Sequence, residues 1–175
     1  VDRRQRQMCI RGRLNIIPTR LNVQQQSAPK QYISRNHIGN ALIVYQPAWT
    51  DITKNAAYAL AESLKEKGYS VTVNYPGSFL PKDVSNYDIL VFGTPIYNGK
   101  GSNLITNYLK SIKSLNGKKV ILFTTGSTTP LKYDKAYTGI KNYMKNVSKV
   151  QRIKFSNKTN DKKFADKTVN SLCEK

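Results

Sequence analysis

Three short stretches of this 175-residue chain gather the residue types needed to hold a phosphorylated, planar ligand. The first is Gln46-Pro-Ala-Trp-Thr-Asp-Ile-Thr-Lys-Asn55, which runs straight into a helical pattern. A helix start offers free amides and the positive end of the helix dipole, both of which attract phosphate. Thr50, Thr53 and Asn55 add side-chain donors there, and Lys54 adds charge. Taken alone, the same stretch also describes an ordinary capped surface helix. The second is Gly93-Thr-Pro-Ile-Tyr-Asn-Gly-Lys-Gly101, in which the Tyr97 ring can stack on a flat ligand. Asn98-Gly99 within it reads as a turn with positive φ at the glycine. The third is Thr124-Thr-Gly-Ser-Thr-Thr-Pro-Leu-Lys-Tyr133, where hydroxyl side chains surround Gly126. Connections of this length in a compact domain usually carry function. No pairing of groups suited to general acid–base catalysis appears, and the single histidine, His37, lies outside all three stretches.

The elements around these stretches must bring them to one place. Five short apolar runs begin at Ala41. Ala41–Tyr45, Ile89–Phe92 and Val120–Thr124 are nearly continuous, as expected for parallel strands covered on both faces. Val71–Tyr75 and Val150–Phe155 alternate and read as strands nearer the edges. Helical spacing of apolar residues marks Ile52–Lys67, Asn103–Ser114, about Asp134–Val147, and about Asp161–Cys173. Gly68 stops the first of these, and Ser102 caps the second. Leu80–Asn86 has room for one helical turn at most. Alternating strands and helices imply right-handed crossovers. The predicted architecture is an α/β fold, a three-layer doubly wound five-stranded parallel sheet of order 2-1-3-4-5. Ligands in such sheets sit beyond the carboxyl ends of the strands, where the winding reverses. That rule places the site on the loops after Tyr45, Phe92 and Phe123.

At these residues the chain resembles the flavodoxin family, over about Ala41–Met144. Ile43-Val44-Tyr45 with Thr53-x-x-Ala56 is similar to the family's first loop, whose hydroxyls and amides wrap the phosphate of flavin mononucleotide (FMN). Phe92-Gly93-Thr94-Pro95-Ile96-Tyr97 resembles the second flavin loop, and Leu122-Phe-Thr-Thr-Gly126 the third. Asn98-Gly99 stands where the family has an X-Gly peptide that turns its carbonyl toward flavin N5 on reduction. The resemblance implies FMN as cofactor. Thr50, Thr53, Lys54 and Asn55 would then hold its phosphate. Thr94, Pro95, Tyr97, Asn98 and Gly99 would line the ring edge, and Thr125, Gly126 and Ser127 would flank the pyrimidine end. It implies an electron-transfer protein or a small flavoprotein reductase, with the cofactor supplying the redox chemistry. The chain departs from the family pattern in three respects. The first loop is one residue longer, Pro47 and Trp49 replace small hydroxyl or glycine residues, and Lys100 follows Gly99 where an acid is frequent. Trp49 either packs over the flavin or covers the core. The altered first loop supports an alternative: a flavodoxin-like domain that has lost FMN and serves as a binding or membrane-associated module.

Composition bounds the remaining classes. The chain carries 29 basic and 10 acidic residues, a formal charge of +19. Such charge attracts polyanions, including an anionic membrane surface. The lysines are scattered, however, and no nucleic-acid motif is present, so nucleic acid is not the expected partner. The redox partner protein is not identified by the residues. No run of eighteen apolar residues exists to span a bilayer. Cys9 and Cys173 have no metal-ligand spacing, and lone thiols point to a reducing, cytoplasmic setting. Residues 1–40 read as a basic tail without a core of its own, followed by one domain over 41–175. Val1–Arg13, VDRRQRQMCIRGR, has no strand or helix period and reads as translated read-through. Without it the chain is still strongly basic.

Overall fold

The computed structural model describes residues 21–126, 135–137, 139–159 and 161–174. Among these residues six strands form one sheet: β1 (Lys30–Tyr32), β2 (Gly39–Tyr45), β3 (Tyr69–Asn74), β4 (Ile89–Pro95), β5 (Lys119–Thr125) and β6 (Lys149–Phe155). Their order is β1-β3-β2-β4-β5-β6. All neighbours are parallel except β1, which runs antiparallel to β3 and pairs Lys30 with Val73 and Tyr32 with Val71. The five parallel strands therefore have the predicted order. The sixth comes from the stretch expected to be a tail.

Among the described residues three α-helices cover the sheet: α1 (Ile52–Glu66), α2 (Asn103–Ser111) and α3 (Asp161–Cys173). Because alternate strand residues face opposite sides, two cores form. Ala41, Ile43, Val91, Ile121 and Phe123 pack under α1 and α3 with Leu60, Leu64, Val169 and Leu172. Leu42, Val44, Leu90, Phe92 and Leu122 pack under α2 with Ile105, Leu109, Tyr137 and Ile140. Each central strand is thus apolar on both faces, which is why its sequence shows no alternation.

Two predictions about elements are corrected. The helix expected over about Asp134–Val147 is a short 3-10 turn, Lys141–Met144. Gly139 just before it sits at φ +79, a left-handed conformation that interrupts a right-handed helix. Ile140 still reaches the core, but Tyr143 is exposed. Asp134 lies outside the described residues. The second correction concerns Leu21–Asn40, which is not a free tail. Leu21 and Tyr32 are buried, and β1 covers what would otherwise be the open edge of β3. Tyr32 meets Tyr58 of α1 edge-on at 6.2 Å, and Lys30 Nζ sits 4.0 Å above the Tyr58 ring. A three-residue strand is too short to leave a periodic signature, so pattern reading passes over it. Residues 1–20 lie outside the described residues.

Candidate functional site

The carboxyl ends of β2, β4 and β5 meet at one rim, and backbone hydrogen bonds tie their loops together. Gln46 N donates to Gly93 O at 2.9 Å, and Ile96 N donates to Thr125 O at 2.8 Å. Gly93 is required near the end of β4's pairing with β5, because a Cβ there would lie 2.0 Å from the Phe123 ring. The Tyr97 hydroxyl accepts from Trp49 N at 3.1 Å, so the first two loops also touch through a side chain.

At the start of α1, Asp51 occupies the capping position but makes no capping hydrogen bond with its side chain. It pairs instead with Lys54 at 2.9 Å. The helix start is thus left open to an external acceptor, with a cation one turn in. The Asp51 bond holds the Lys54 ammonium above its ordinary pKa. Thr50 and Asn55 are exposed beside this helix start.

Thr53 behaves differently from its predicted company. It is fully buried, and its Oγ1 lies 2.6 Å from Thr125 Oγ1, which is buried too. The two hydroxyls satisfy each other and stitch α1 to the end of β5. Thr94 is likewise internal: its Oγ1 accepts from Ser102 N at 2.8 Å and donates to Pro95 O at 3.1 Å, pinning both ends of the second loop. Pro95 is buried at the end of β4. Tyr97 and Lys100 exchange backbone hydrogen bonds of 3.0 Å in both directions. Between them Asn98 and Gly99 sit at φ +51 and +75, the two positive values of a type I′ turn. Gly126 follows β5, and a Cβ on it would lie 3.4 Å from Ile96 O, so the third loop abuts the second. Ser127 lies outside the described residues. Thr53, Tyr97 and Gly126 thus belong to one connected rim.

Two features were not anticipated. The first is a strap, Leu21–Ala28, running along the carboxyl edge of the sheet. Asn22 Oδ1 accepts from Asn103 N at 2.7 Å at the start of α2. Val23 O accepts from Gln46 Nε2 at 3.1 Å, and Gln24 Nε2 donates to Pro76 O at 3.3 Å. Ala28 N donates to Asn74 Oδ1 at 3.0 Å, just before β1 begins. No apolar period marks the strap, because polar side chains hold it in place. The second is Gln46, which is 1% exposed. Its amide nitrogen is bonded to the strap, while its Oε1 has no partner. A buried carbonyl oxygen without a donor is rare and costs about 1–3 kcal/mol.

Among the described residues two clefts open at this rim, and Tyr97 lines both. One, of about 450 Å3, is lined by Val23, Gln46, Pro47, Trp49 and Tyr97. The other, of about 530 Å3, lies between the strap, the 97–100 turn and α2. Below the first loop, Tyr45 contacts Tyr58 and Tyr75 edge-on. Burial, then a hydrogen bond with Tyr75, pushes the Tyr45 phenol far up, so it stays protonated. Among the described residues no cluster of His, Cys, Asp or Glu could hold a metal, and no helix is long and apolar enough to cross a membrane.

A doubly wound sheet with three loops converging at its carboxyl rim, one on an open helix start and one carrying an aromatic turn, defines the class of flavodoxin-like proteins. The chain belongs to the flavodoxin family, whose domain matches residues 52–163. It is 31% identical over 86 residues to an uncharacterized protein of Methanocaldococcus jannaschii, covering 49% of this chain and 54% of that one. The chain thus spans about half the length of that curated relative. Among solved structures, oxidised Flavodoxin 1 from Bacillus cereus superposes with a TM-score of 0.62 at 13% identity, over 77% of this chain and 97% of that one. Rubredoxin oxygen:oxidoreductase from Desulfovibrio gigas superposes at 0.60 with 16% identity, over 80% of this chain and 36% of that one. At such identities these likenesses establish the fold.

Proposed function

We propose that the rim holds one FMN and that the domain is an electron carrier or a small flavoprotein reductase. Family membership implies the cofactor, and the residues present fit it. The cleft between Gln46, Trp49 and Tyr97 is about 450 Å3, within the ~300–1,000 Å3 range of small-molecule sites. The observation that carries the reading is Gln46 Oε1, a buried acceptor without a donor in the wall of that cleft. A ligand presenting an N–H or O–H would complete it. In this reading the open start of α1, with Thr50, Lys54 and Asn55, holds the phosphate. Pro95, Tyr97, Asn98 and Gly99 line the ring edge, and Thr125 and Gly126 stand at its pyrimidine end, where Ser127 is also expected. Thr53, Thr94 and the Thr125 hydroxyl act as scaffold for those contacts. When bound, FMN supplies the redox chemistry, and the chain orients it and sets its electrostatics.

Absorbance at the flavin bands, in the protein as purified or after added FMN, tests the proposal. Colourless protein that ignores FMN selects the second reading, a domain that has lost the cofactor. That reading has its own support: the Asp51 carboxylate stands at the helix start and takes up Lys54, opposing a phosphate. If FMN binds, Lys100 beside the turn raises the midpoint potential above that of acidic flavodoxins. A spectroelectrochemical titration giving an equal or lower value counts against this charge effect.

A further inference from the structure

The larger cleft, on the other side of Tyr97 from the proposed flavin, has a chemistry of its own. Asn103, Thr106, Asn107 and Lys110 recur at helical spacing and present one polar face of α2 to it. The opposite face of α2 sends Ile105, Tyr108 and Leu109 into the core. Lys100 lines the cleft from the turn, Lys110 from α2 and Lys135 from the far side, around about 530 Å3. No carboxylate is among the described residues lining it. Elsewhere the acids collect: Glu62, Glu66 and Asp166 lie on α1 and α3, where Lys65 and Lys162 pair with them. Among the described residues neither Lys100 nor Lys110 takes part in an ion pair. The floor is backbone at Gly101, where a Cβ would lie 2.8 Å from both Ala136 Cβ and Thr94 Cγ2.

We propose that this cleft is a second ligand site, for a phosphate-bearing small anion of nucleotide size. The ammonium groups of Lys100 and Lys110 set the charge of the ligand. The carboxamides of Asn103 and Asn107 offer both donors and acceptors to its uncharged part, and the Asn22 amide nitrogen adds a donor. A small molecule fits better than a protein surface, since Lys100 and Lys110 line a recess between the turn and α2 instead of a plane. The ligand would lie against the Tyr97–Lys100 turn. Its role as the second reactant of a flavoprotein rests on the FMN reading, but its binding does not.

Isothermal titration of the full chain without FMN, using inorganic pyrophosphate and ADP as probes, tests the site. Saturable one-to-one binding is expected, with amide shifts at Gly101, Asn103, Thr106 and Asn107 in NMR spectra. Lys110→Glu and Lys100→Glu should each weaken it by about tenfold, the scale of reversing one charge at an exposed site. Lys113→Glu makes the same charge change outside the cleft and should alter binding less than about twofold. FMN affinity should be unchanged in Lys110→Glu. Equal weakening by Lys113→Glu would show diffuse surface attraction and overturn the site. So would displacement of pyrophosphate by FMN, which would put the anion at α1, or binding of polyglutamate alone, which would make this face a protein-docking surface. Anion binding in a chain that takes no FMN would sink the flavin reading and leave this site standing.

Discussion

The pairing of Thr53 with Thr125 gives a direct test of which hydroxyls support the site and which could touch a ligand. Both side chains are fully buried and their oxygens are 2.6 Å apart. Thr53→Val keeps the shape and deletes one hydroxyl, leaving Thr125 Oγ1 without a partner in the interior. A buried polar group stranded in this way costs about 1–3 kcal/mol. For a chain of this size each kcal/mol moves Tm by about 2–4 °C, so the melting point should fall by about 2–12 °C. Thr125→Val should do the same. The double variant removes both hydroxyls together and should return to within about 1 kcal/mol of the parent, giving a coupling energy of at least about 1 kcal/mol. Urea unfolding followed by circular dichroism reads the stabilities, and an FMN titration of each variant reads the site. Affinity for FMN should change little, because neither hydroxyl is free to reach a phosphate. Additive losses in the double variant would refute the pairing. A large drop in FMN affinity with unchanged stability would show that Thr53 serves the cofactor directly.

Other perturbations isolate other parts of the rim. Gly99→Ala should cost about 1–2 kcal/mol through backbone strain alone, because Gly99 is at φ +75 and an added Cβ meets nothing within 4 Å; an unchanged unfolding midpoint would refute the left-handed turn. Gln46→Met removes both the bond to Val23 and the orphaned oxygen, so stability should stay within about 1 kcal/mol while FMN affinity falls about tenfold. Equal FMN affinity would show that Gln46 Oε1 meets no ligand. Asp166 has its carboxyl held below the usual 3.8, first by Lys162 and then by Ser63. Its contribution to stability is therefore full above that ordinary value and is lost as pH falls through the lowered one. Asp166→Asn should flatten the loss of stability in acid, modestly because the pair is solvent-exposed; denaturant midpoints at pH 7 and pH 3 measure it, and an unaltered slope would refute the pairing.

The amino-acid pattern alone determined the wound sheet. Ala41–Tyr45, Ile89–Phe92 and Val120–Thr124 are apolar without alternation, and burial on both faces is the structural reason, so strand order and the location of the rim followed. Turn chemistry was equally readable: Asn98-Gly99 has the residues that left-handed backbone needs, and it adopts them. The helix over Asp134–Val147 was misjudged because apolar spacing does not register the left-handed Gly139. The strap and β1 were missed because they are held by Asn22, Gln46 and Asn74 side chains reaching across the fold, with no local period. The same limit applied to Thr53. A threonine at a helix start can present its hydroxyl to solvent or to a neighbouring strand, and the choice depends on what lies 72 residues away in the chain. Periodicity records which face of an element meets the core. Which polar atoms find partners is decided only when distant segments are brought within hydrogen-bond reach.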